Sequence, residues 1–190
     1  MAKREQAVPV KLTHDDFVHF PADGLRHELI DGAHFVTPAP DTRHQTISMN
    51  LIVVMGGWLD THPIGRLYHA PFDVRFSDVD VVVPDLLYLS NERRGAIVTA
   101  THVRGVPELV IEIGSPSTRQ RDKTIKRQLY ERSGVAEFWF VDPDIDVVRV
   151  YRRDRKGFAP AFELSYQADD ILSTPLLPGF DAPLTRVFRD

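Results

Sequence analysis

Two carboxylates stand inside the most apolar stretches of the sequence. Asp85 directly follows the apolar run 81–84, and Glu112 lies within the apolar run 109–113. An ionised carboxylate taken out of water is costly unless it is paired or bound to a metal, and two of them on neighbouring strands would repel each other. A divalent cation between Asp85 and Glu112 would remove both costs.

The residue types that are missing narrow the choice of cation. The 190 residues include no cysteine, which excludes disulfides, thiol nucleophiles and cysteine-based zinc or iron-sulfur sites. There is no HExxH pattern, and hard oxygen ligands favour Mg²⁺ or Mn²⁺ over zinc. The alternative is that each strand ends near its carboxylate, which then faces solvent.

A second group of chemically useful residues follows Glu112. Asp122, Lys126 and Tyr130 are spaced i, i+4 and i+8, so that they form one stripe on a helix. This spacing brings a cation within reach of the end of the Glu112 strand. The alternative is a solvated helix face on which Asp122 and Lys126 form a surface salt bridge worth roughly 0.3–0.5 kcal/mol.

These residues belong to a set of motifs with a fixed order. In chain order the motifs are Glu28-Leu29-Ile30-Asp31-Gly32, the stretch from Pro38 to His44, Pro84-Asp85, the segment from Glu112 to Thr118, the stripe of Asp122, Lys126 and Tyr130, and the segment from Gly134 to Pro143. The set resembles the Uma2 family, a DUF820-like group of restriction endonucleases in the PD-(D/E)xK nuclease superfamily. The resemblance covers roughly residues 13–150.

The resemblance implies a restriction-endonuclease-like core with a metal site. In that core Asp85 and Glu112 coordinate Mg²⁺ or Mn²⁺ with help from the Ile113 carbonyl, and Glu28 adds a third carboxylate. The superfamily pattern expects a lysine two residues after the glutamate, but Gly114 occupies that position. Lys126 on the following helix is the best replacement, and Lys123 is the second choice.

Several other residues are expected near the cleft. His44, Asp122 and Tyr130 are candidates for its lining, although capping or packing is the better explanation for His44. The other seven histidines show no metal-ligand spacing. Four further cations on the helix after Glu112 are expected to bind phosphate, namely Arg119, Arg121, Lys123 and Arg127. Together with Lys126 they place five positive charges within nine residues.

The elements that position these residues follow from periodicity and turn signals. Thr13 and Asp16 predict a capping box at the start of a short helix that runs to Pro21. Asp31-Gly32 predicts a hairpin over 26–36, and apolar residues at helical spacing predict a long helix over 41–60. Two strands are expected between residues 67 and 89, the second one buried and continuous over 81–89, and a loop is expected at 91–95.

The second half of the chain continues this alternation. A central strand is predicted over 107–113, followed by a helix from Ser117 to Ser133 that begins with a Ser117 and Gln120 capping box and stops at Gly134. Strands are predicted at 137–143 and 146–151, with one or two more in the tail. The whole chain is therefore predicted to be a single α/β domain over 1–190, with a mixed central sheet flanked by helices, extra β-hairpins and peripheral strands at 151–190.

Composition limits the classes of partner. The chain is 43% hydrophobic and 26% charged, which fits one globular domain rather than a disordered tail. The net charge of −4 excludes a polycation, so nucleic acid would have to bind at a local basic patch. No apolar run has the length of a membrane helix, and residues 1–6 lack the apolar stretch of a secretory signal, which predicts a cytoplasmic protein without a membrane partner.

The sequence favours a Mg²⁺- or Mn²⁺-dependent phosphodiesterase that acts on DNA, with Asp85, Glu112 and Lys126 as its catalytic residues. One alternative is a catalytically silent protein of the same fold that binds nucleic acid or another protein. Another is a structural metal-binding domain with no nucleic-acid role, which the acidic balance favours. The resemblance also implies a homodimer.

Overall fold

The computed structural model describes residues 10–190. Residues 1–9, which include the segment examined for a secretory signal, lie outside the described part of the chain. Within residues 10–190, no helix is long and apolar enough to cross a membrane.

The described chain alternates short strands with a few helices. The helical segments are α1 (His14–Phe17), α2 (Thr42–Thr61), α3 (Asn91–Ile97), α4 (Arg119–Arg121), a π-helical segment (Asp122–Lys126), α5 (Arg127–Ser133), a 3₁₀ turn (Tyr166–Ala168) and α6 (Leu184–Val187). The strands are β1 (Arg26–Ile30), β2 (Ala33–Thr37), β3 (Gly65–His69), β4 (Asp73–Ser77), β5 (Asp80–Val82), β6 (Leu86–Ser90), β7 (His102–Arg104), β8 (Leu109–Ile113), β9 (Glu137–Asp142), β10 (Val147–Asp154), β11 (Gly157–Phe158), β12 (Phe162–Ser165), β13 (Ile171–Ser173) and β14 (Asp181–Pro183).

The predicted mixed central sheet is confirmed. Its strand order is β11-β10-β9-β8-β6-β3, with β12 added beside β10. Strands β8 and β9 are parallel, and β8 is antiparallel to β6. A second sheet, in the order β2-β1-β5-β4-β7, contains the hairpin that carries Glu28. The strands of the chain are thus divided between two larger sheets and one small hairpin, β13-β14.

Alternation along β8 explains how Glu112 reaches the interior. Leu109, Ile111 and Ile113 pack into a core shared with α2 and the C-terminal segment 172–188. Val110 packs on the opposite face, in a core shared with the second sheet and α5. Because side chains alternate along a strand, Glu112 lies on the same face as Val110, towards α5.

Local signals set the ends of the main elements. The Asp31-Gly32 turn is confirmed, since both residues have positive φ values of 52° and 75°, as a tight hairpin turn requires. The Asp41 carboxylate caps α2 by accepting a hydrogen bond from the His44 amide at 2.8 Å. Gly134 ends α5 in the left-handed conformation, as predicted.

Four predictions about the elements are wrong. The first helix ends at Phe17 instead of Pro21, although the Thr13 and Asp16 capping box is present. Residues 91–97 form α3 instead of a loop, because the Ser90 hydroxyl caps this helix by accepting from the Arg93 amide.

The other two corrections concern segments next to the candidate site. The stretch 67–89 contains parts of four strands, and the buried run 81–89 is interrupted at residues 83–85, since proline cannot donate a ladder hydrogen bond. Asp85 therefore precedes β6 and is not inside a strand. The helix after Glu112 begins at Arg119 with Thr118 as its N-cap, so Ser117 and Gln120 form no capping box.

Candidate active site

Four buried carboxylates meet at one small cavity. Glu28 comes from β1, Glu112 from β8, Asp122 from the π-helical segment, and Asp85 from the break before β6. Each of these residues is at most 5% exposed. The cavity has a volume of about 20 Å³, which is enough for one water molecule or one ion. Asp85 and Glu112, expected to share a site, therefore line the same cavity.

Lys126 lies between the carboxylates. Its Nζ atom is 2.7 Å from Glu28 Oε1, 2.9 Å from Glu112 Oε1 and 3.9 Å from Asp122 Oδ1. Burial alone would lower the pKa of Lys126, but Glu112, Glu28 and Asp122 hold this pKa above its ordinary value. The residue is 3% exposed, so the Asp122 and Lys126 stripe does not form a solvated face.

Asp85 is held by three hydrogen bonds. Arg26 donates to Oδ1 at 2.8 Å, His44 Nε2 donates to Oδ2 at 3.0 Å, and the Ile113 amide donates to Oδ2 at 2.9 Å. Burial raises the pKa of Asp85, but His44 and Arg26 outweigh burial and lower this pKa to about 2. Asp85 therefore stays ionised.

Glu112 has the opposite electrostatic environment. Burial raises its pKa to about 8, against the effect of Lys126, and the neighbouring carboxylates Asp122, Asp85 and Glu28 add to the rise. The Tyr130 hydroxyl also donates to Glu112 Oε1. Lys126, Arg26 and Arg121 supply three positive charges against the four carboxylates of the cavity, so one negative charge is left without a partner when Glu112 is ionised, and a further cation would stabilise that state.

The donors at this cavity fit a divalent cation in chemical type. Glu28 Oε2 and Asp122 Oδ1 are buried and have no hydrogen-bond partner, and Ile113 also lines the cavity. Carboxylate and carbonyl oxygens are the ligands that Mg²⁺ and Mn²⁺ prefer. In the described conformation, however, no group of three or more His, Asp or Glu residues within 10–190 is arranged around a common metal position.

The four residues expected to bind phosphate do not form one free basic surface. Arg119 pairs with Asp142 at 3.0 Å and also with Asp144, and Lys123 pairs with the same Asp142 at 2.9 Å. This pairing places Arg119 and Lys123 at the end of β9. Lys123, the second choice for the catalytic lysine, is thus paired outside the carboxylate cavity.

The other two phosphate-binding candidates have different surroundings. Arg127 pairs with Glu131 at 3.3 Å on the same helix. Arg121 lines the carboxylate cavity, where its guanidinium lies 3.4 Å from Glu28 Oε2 and donates to the Thr37 hydroxyl. Of the four candidates, Arg121 is the one that the structure places beside the buried carboxylates.

The remaining predicted residues lie close to these carboxylates. His44 is 5% exposed, lines the cavity and contacts Asp85. Tyr130 is fully buried and contacts Glu112. Sequence reasoning missed Arg26, although it stands two residues before Glu28 on the same strand. Alternation on a strand puts residues i and i+2 on one face, which was the available signal for Arg26.

A family model matches most of the chain. The model of the Uma2 family, described as "Putative restriction endonuclease", matches residues 14–185. The chain belongs to the Uma2 family. The match includes every residue of the carboxylate cavity.

Solved structures similar to this Uma2 protein are also known. One is a nuclease of DUF820 from Anabaena variabilis ATCC 29413, described as putative. It is 22% identical in sequence to this chain and superposes with a TM-score of 0.78, and the match covers 95% of this chain and 98% of that one. This likeness shows a common fold. The type IIG restriction endonuclease BpuSI matches with 14% identity and a TM-score of 0.34, covering 76% of this chain and 15% of that one. A comparison with curated proteins found no match.

Proposed function

We propose that this Uma2 protein is a divalent-cation-dependent nuclease that hydrolyses DNA phosphodiester bonds. Asp85, Glu112 and Lys126 are its catalytic residues, and Glu28 supports them. The observation that carries the proposal is the position of Lys126, a buried ammonium held between Glu28 and Glu112 in the cavity that Asp85 also lines. The family match and the fold support a nuclease.

Asp85, Glu112, Glu28 and the Ile113 carbonyl would hold the cation. When bound, Mg²⁺ or Mn²⁺ polarises the phosphoryl group and makes water a stronger nucleophile. Arg26, His44 and the Ile113 amide fix the orientation of Asp85 and keep it ionised, so that this carboxylate is ready to bind a cation. Tyr130 holds Glu112 in place from the helix side.

Lys126 supplies a fixed positive charge beside the reacting phosphate. Negative charge increases on the phosphoryl oxygens in the transition state, and a preorganised cation in a water-poor site stabilises that charge strongly. Arg121, which lines the same cavity, is placed to contact the phosphate as well. Both residues are already oriented by Glu28, which limits the reorganisation needed during the reaction.

The first prediction tests this role of Lys126. Lys126→Met keeps the apolar stem and removes the charge, so Mg²⁺- or Mn²⁺-dependent nicking of plasmid should fall by roughly 10²-fold or more. Lys123→Met is the matched control, since Lys123 pairs with Asp142 outside the cavity and its loss should change the rate only slightly. Initial nicking rates are compared at equal folded concentration, established by circular dichroism.

The outcomes separate the proposed enzyme from its alternatives. Asp85→Asn should also abolish nicking, because it removes the ionised ligand. Equal nicking by the wild type, Lys126→Met and Asp85→Asn would mean that the activity comes from elsewhere. No nicking by the wild type with either metal would favour the catalytically silent binding protein. Two observations also favour that alternative: the Lys126 ammonium lies between Glu28 and Glu112, and no common metal position is found within 10–190.

A further inference from the structure

A second, larger cleft adjoins the carboxylate cavity. It has a volume of about 490 Å³, within the range of small-molecule sites. Its lining includes the segment 37–40, with two prolines and an alanine, the first half of α2 with Met49 and Ile52, and Pro71. The lining is mainly apolar, and Met49 is 58% exposed although it is a large hydrophobic residue.

The cleft adjoins the proposed catalytic cavity. Both are lined by Arg26, His44 and Asp85, and also by residues of the segment 37–40. A phosphate held at the catalytic carboxylates would therefore have the rest of its nucleotide near the apolar lining of this cleft.

The cleft also offers uncommitted polar groups. The side chains of Gln45 and Ser48 line it and make no hydrogen bond within residues 10–190. His44 Nδ1 is buried without a partner. Apolar faces with a few free donors and acceptors are what a flat heteroaromatic ring requires, since its faces stack and its edge forms hydrogen bonds.

The charges near the site argue against binding to phosphates alone. Affinity for duplex DNA depends mainly on free Lys and Arg side chains that neutralise phosphates. Here Arg119, Lys123 and Arg127 are each paired with a carboxylate of the chain, and the protein carries a net charge of −4. Burial of a base would supply binding energy that these paired cations do not.

We propose that this cleft binds one unstacked base of the substrate, so that DNA with unpaired bases, which includes single strands and the melted regions of a supercoiled plasmid, is the substrate class. The inference rests on the proposed function, because it places the scissile phosphate at the adjoining carboxylates. Met49, Ile52 and the prolines hold the faces of the base, and Gln45 and Ser48 contact its edge.

The test measures binding of two single-stranded oligodeoxynucleotides of equal length and equal phosphate charge. One is an oligothymidine and the other is fully abasic. Fluorescence anisotropy is recorded with Ca²⁺ at physiological salt, and the probes are checked by gel for integrity. The oligothymidine should bind about fivefold or more tightly, the gain expected from stacking one base. Equal affinities, or no binding of either probe, would overturn the inference.

A matched pair of variants tests whether the cleft is the place where the base binds. Met49→Gln changes the apolar wall, whereas Val53→Gln changes a comparably exposed residue of the same helix that does not line the cleft. Met49→Gln should lose most of the preference for oligothymidine and leave abasic binding unchanged, and Val53→Gln should retain the preference. An unchanged preference in Met49→Gln would exclude this cleft.

Failure of this inference is distinguishable from failure of the proposed function. A protein that nicks DNA with Mg²⁺ but binds both probes equally retains the proposed function and loses the base site. A protein that prefers oligothymidine through Met49 but cleaves no DNA with either metal keeps the base site and is not a nuclease.

Discussion

Gly114 explains why the proposed catalytic cation comes from a helix and not from the strand. Glu112 and Gly114 are two residues apart, so a side chain at 114 would point to the same side of the sheet. A Cβ atom there would lie 2.7 Å from Phe140 Cζ, and Phe140 is fully buried. The position at which the family resemblance would place a lysine is thus closed by the ring on the neighbouring strand, whereas Lys126 reaches Glu112 from the π-helical segment.

The second prediction follows from this close contact. Gly114→Ala should destabilise the protein by about 1–3 kcal/mol, because the added methyl group overpacks against Phe140. Gly95→Ala is the matched control: Gly95 lies in α3 with no atom near its added methyl group, so alanine there should be neutral or slightly stabilising. The free energy of unfolding is measured in urea. Equal effects at both positions would contradict the packing explanation.

The third prediction concerns the pH dependence that Glu112 imposes on stability. The pKa of Glu112 is about 8 in the folded protein and 4.5 in its ordinary state. Between these two pH values the folded protein therefore keeps a proton that the unfolded chain releases. The contribution of Glu112 to the free energy of unfolding therefore falls as pH rises from about 4.5 to about 8. Asp85 has the opposite sign, because its pKa of about 2 makes its stabilisation disappear as pH falls below about 4.

The measurement compares urea unfolding of the wild type and Glu112→Gln at several pH values. The two proteins should be similar near pH 5, and the variant should be more stable near pH 8, by on the order of 1–3 kcal/mol. Glu163→Gln, at an exposed carboxylate, controls for the loss of one ionisable group. Parallel stability curves for the wild type and Glu112→Gln would show that Glu112 is ionised throughout this range.

At the scale of elements, strong local signals were predictable and weak ones were not. The Thr13 and Asp16 capping box, the Asp31-Gly32 turn and the Gly134 stop each depend on a residue and its immediate neighbours, so the sequence is sufficient to identify them. The helix α3 was missed because its polar sequence resembles a loop and its stability comes from the Ser90 cap.

The π-helical segment had no signal in the sequence. A stripe at i, i+4 and i+8 predicts a regular α-helix, but Asp122–Lys126 forms wider i→i+5 turns. Such segments contain one residue more than an α-helix of the same length, and they occur frequently at functional sites. Asp122 and Lys126 still both face the buried carboxylates, and Ile125 is left 38% exposed.

The fourth prediction changes the register of this segment. Insertion of one alanine after Ile125 should rotate Lys126 by about 100° relative to Arg121 and Asp122, away from Glu28 and Glu112. Nicking should fall by about tenfold or more, since misplacement of positioning groups costs rate, while the helix content seen by circular dichroism is retained. Ile125→Ala keeps the register and should remain active. Full activity in the insertion variant would show that the register between Asp122 and Lys126 has no role in positioning.

At the scale of the molecule, the site exists only where distant segments meet. Glu28 belongs to the five-stranded sheet, Glu112 to the central sheet, and Lys126 to the helix between them. The sequence identified these residues by type, since charge in an apolar run or on a helix stripe is unusual. It could not identify their pairing, because the contact of Lys126 with Glu28 depends on how two sheets pack and not on any local pattern.

The apolar cleft illustrates the same limit. Its lining comes from the contiguous stretch 37–52 and from residues 69–71, which lie 17 or more residues further along the chain. No sequence periodicity links these segments, and Met49 fits the pattern of an ordinary helix residue.

The basic residues after Glu112 were predicted as one surface that the structure divides. Their density in the sequence predicted a single phosphate-binding surface. In the structure they pair with separate acidic residues, which are Asp142, Asp144 and Glu131.

The last prediction links the cation to the stability of the whole fold. A ligand that binds only the folded state stabilises it by mass action, by about 1.4 kcal/mol at ten times its dissociation constant. For a chain of this size that corresponds to a rise of about 3–6 °C in the melting temperature. Mn²⁺ should produce this rise in the wild type and not in Asp85→Asn, which loses the ionised ligand. Glu163→Gln should respond like the wild type.

The pH dependence of this rise identifies the site. Glu112 binds a proton up to a pH of about 8, and a metal must displace that proton to use this carboxylate. The rise in melting temperature with Mn²⁺ should therefore be larger near pH 8 than near pH 6, and Glu112→Gln should abolish the difference. A rise that is independent of pH, or equal in Asp85→Asn and the wild type, would place the bound cation away from the buried carboxylates and remove the main support for metal-dependent chemistry there.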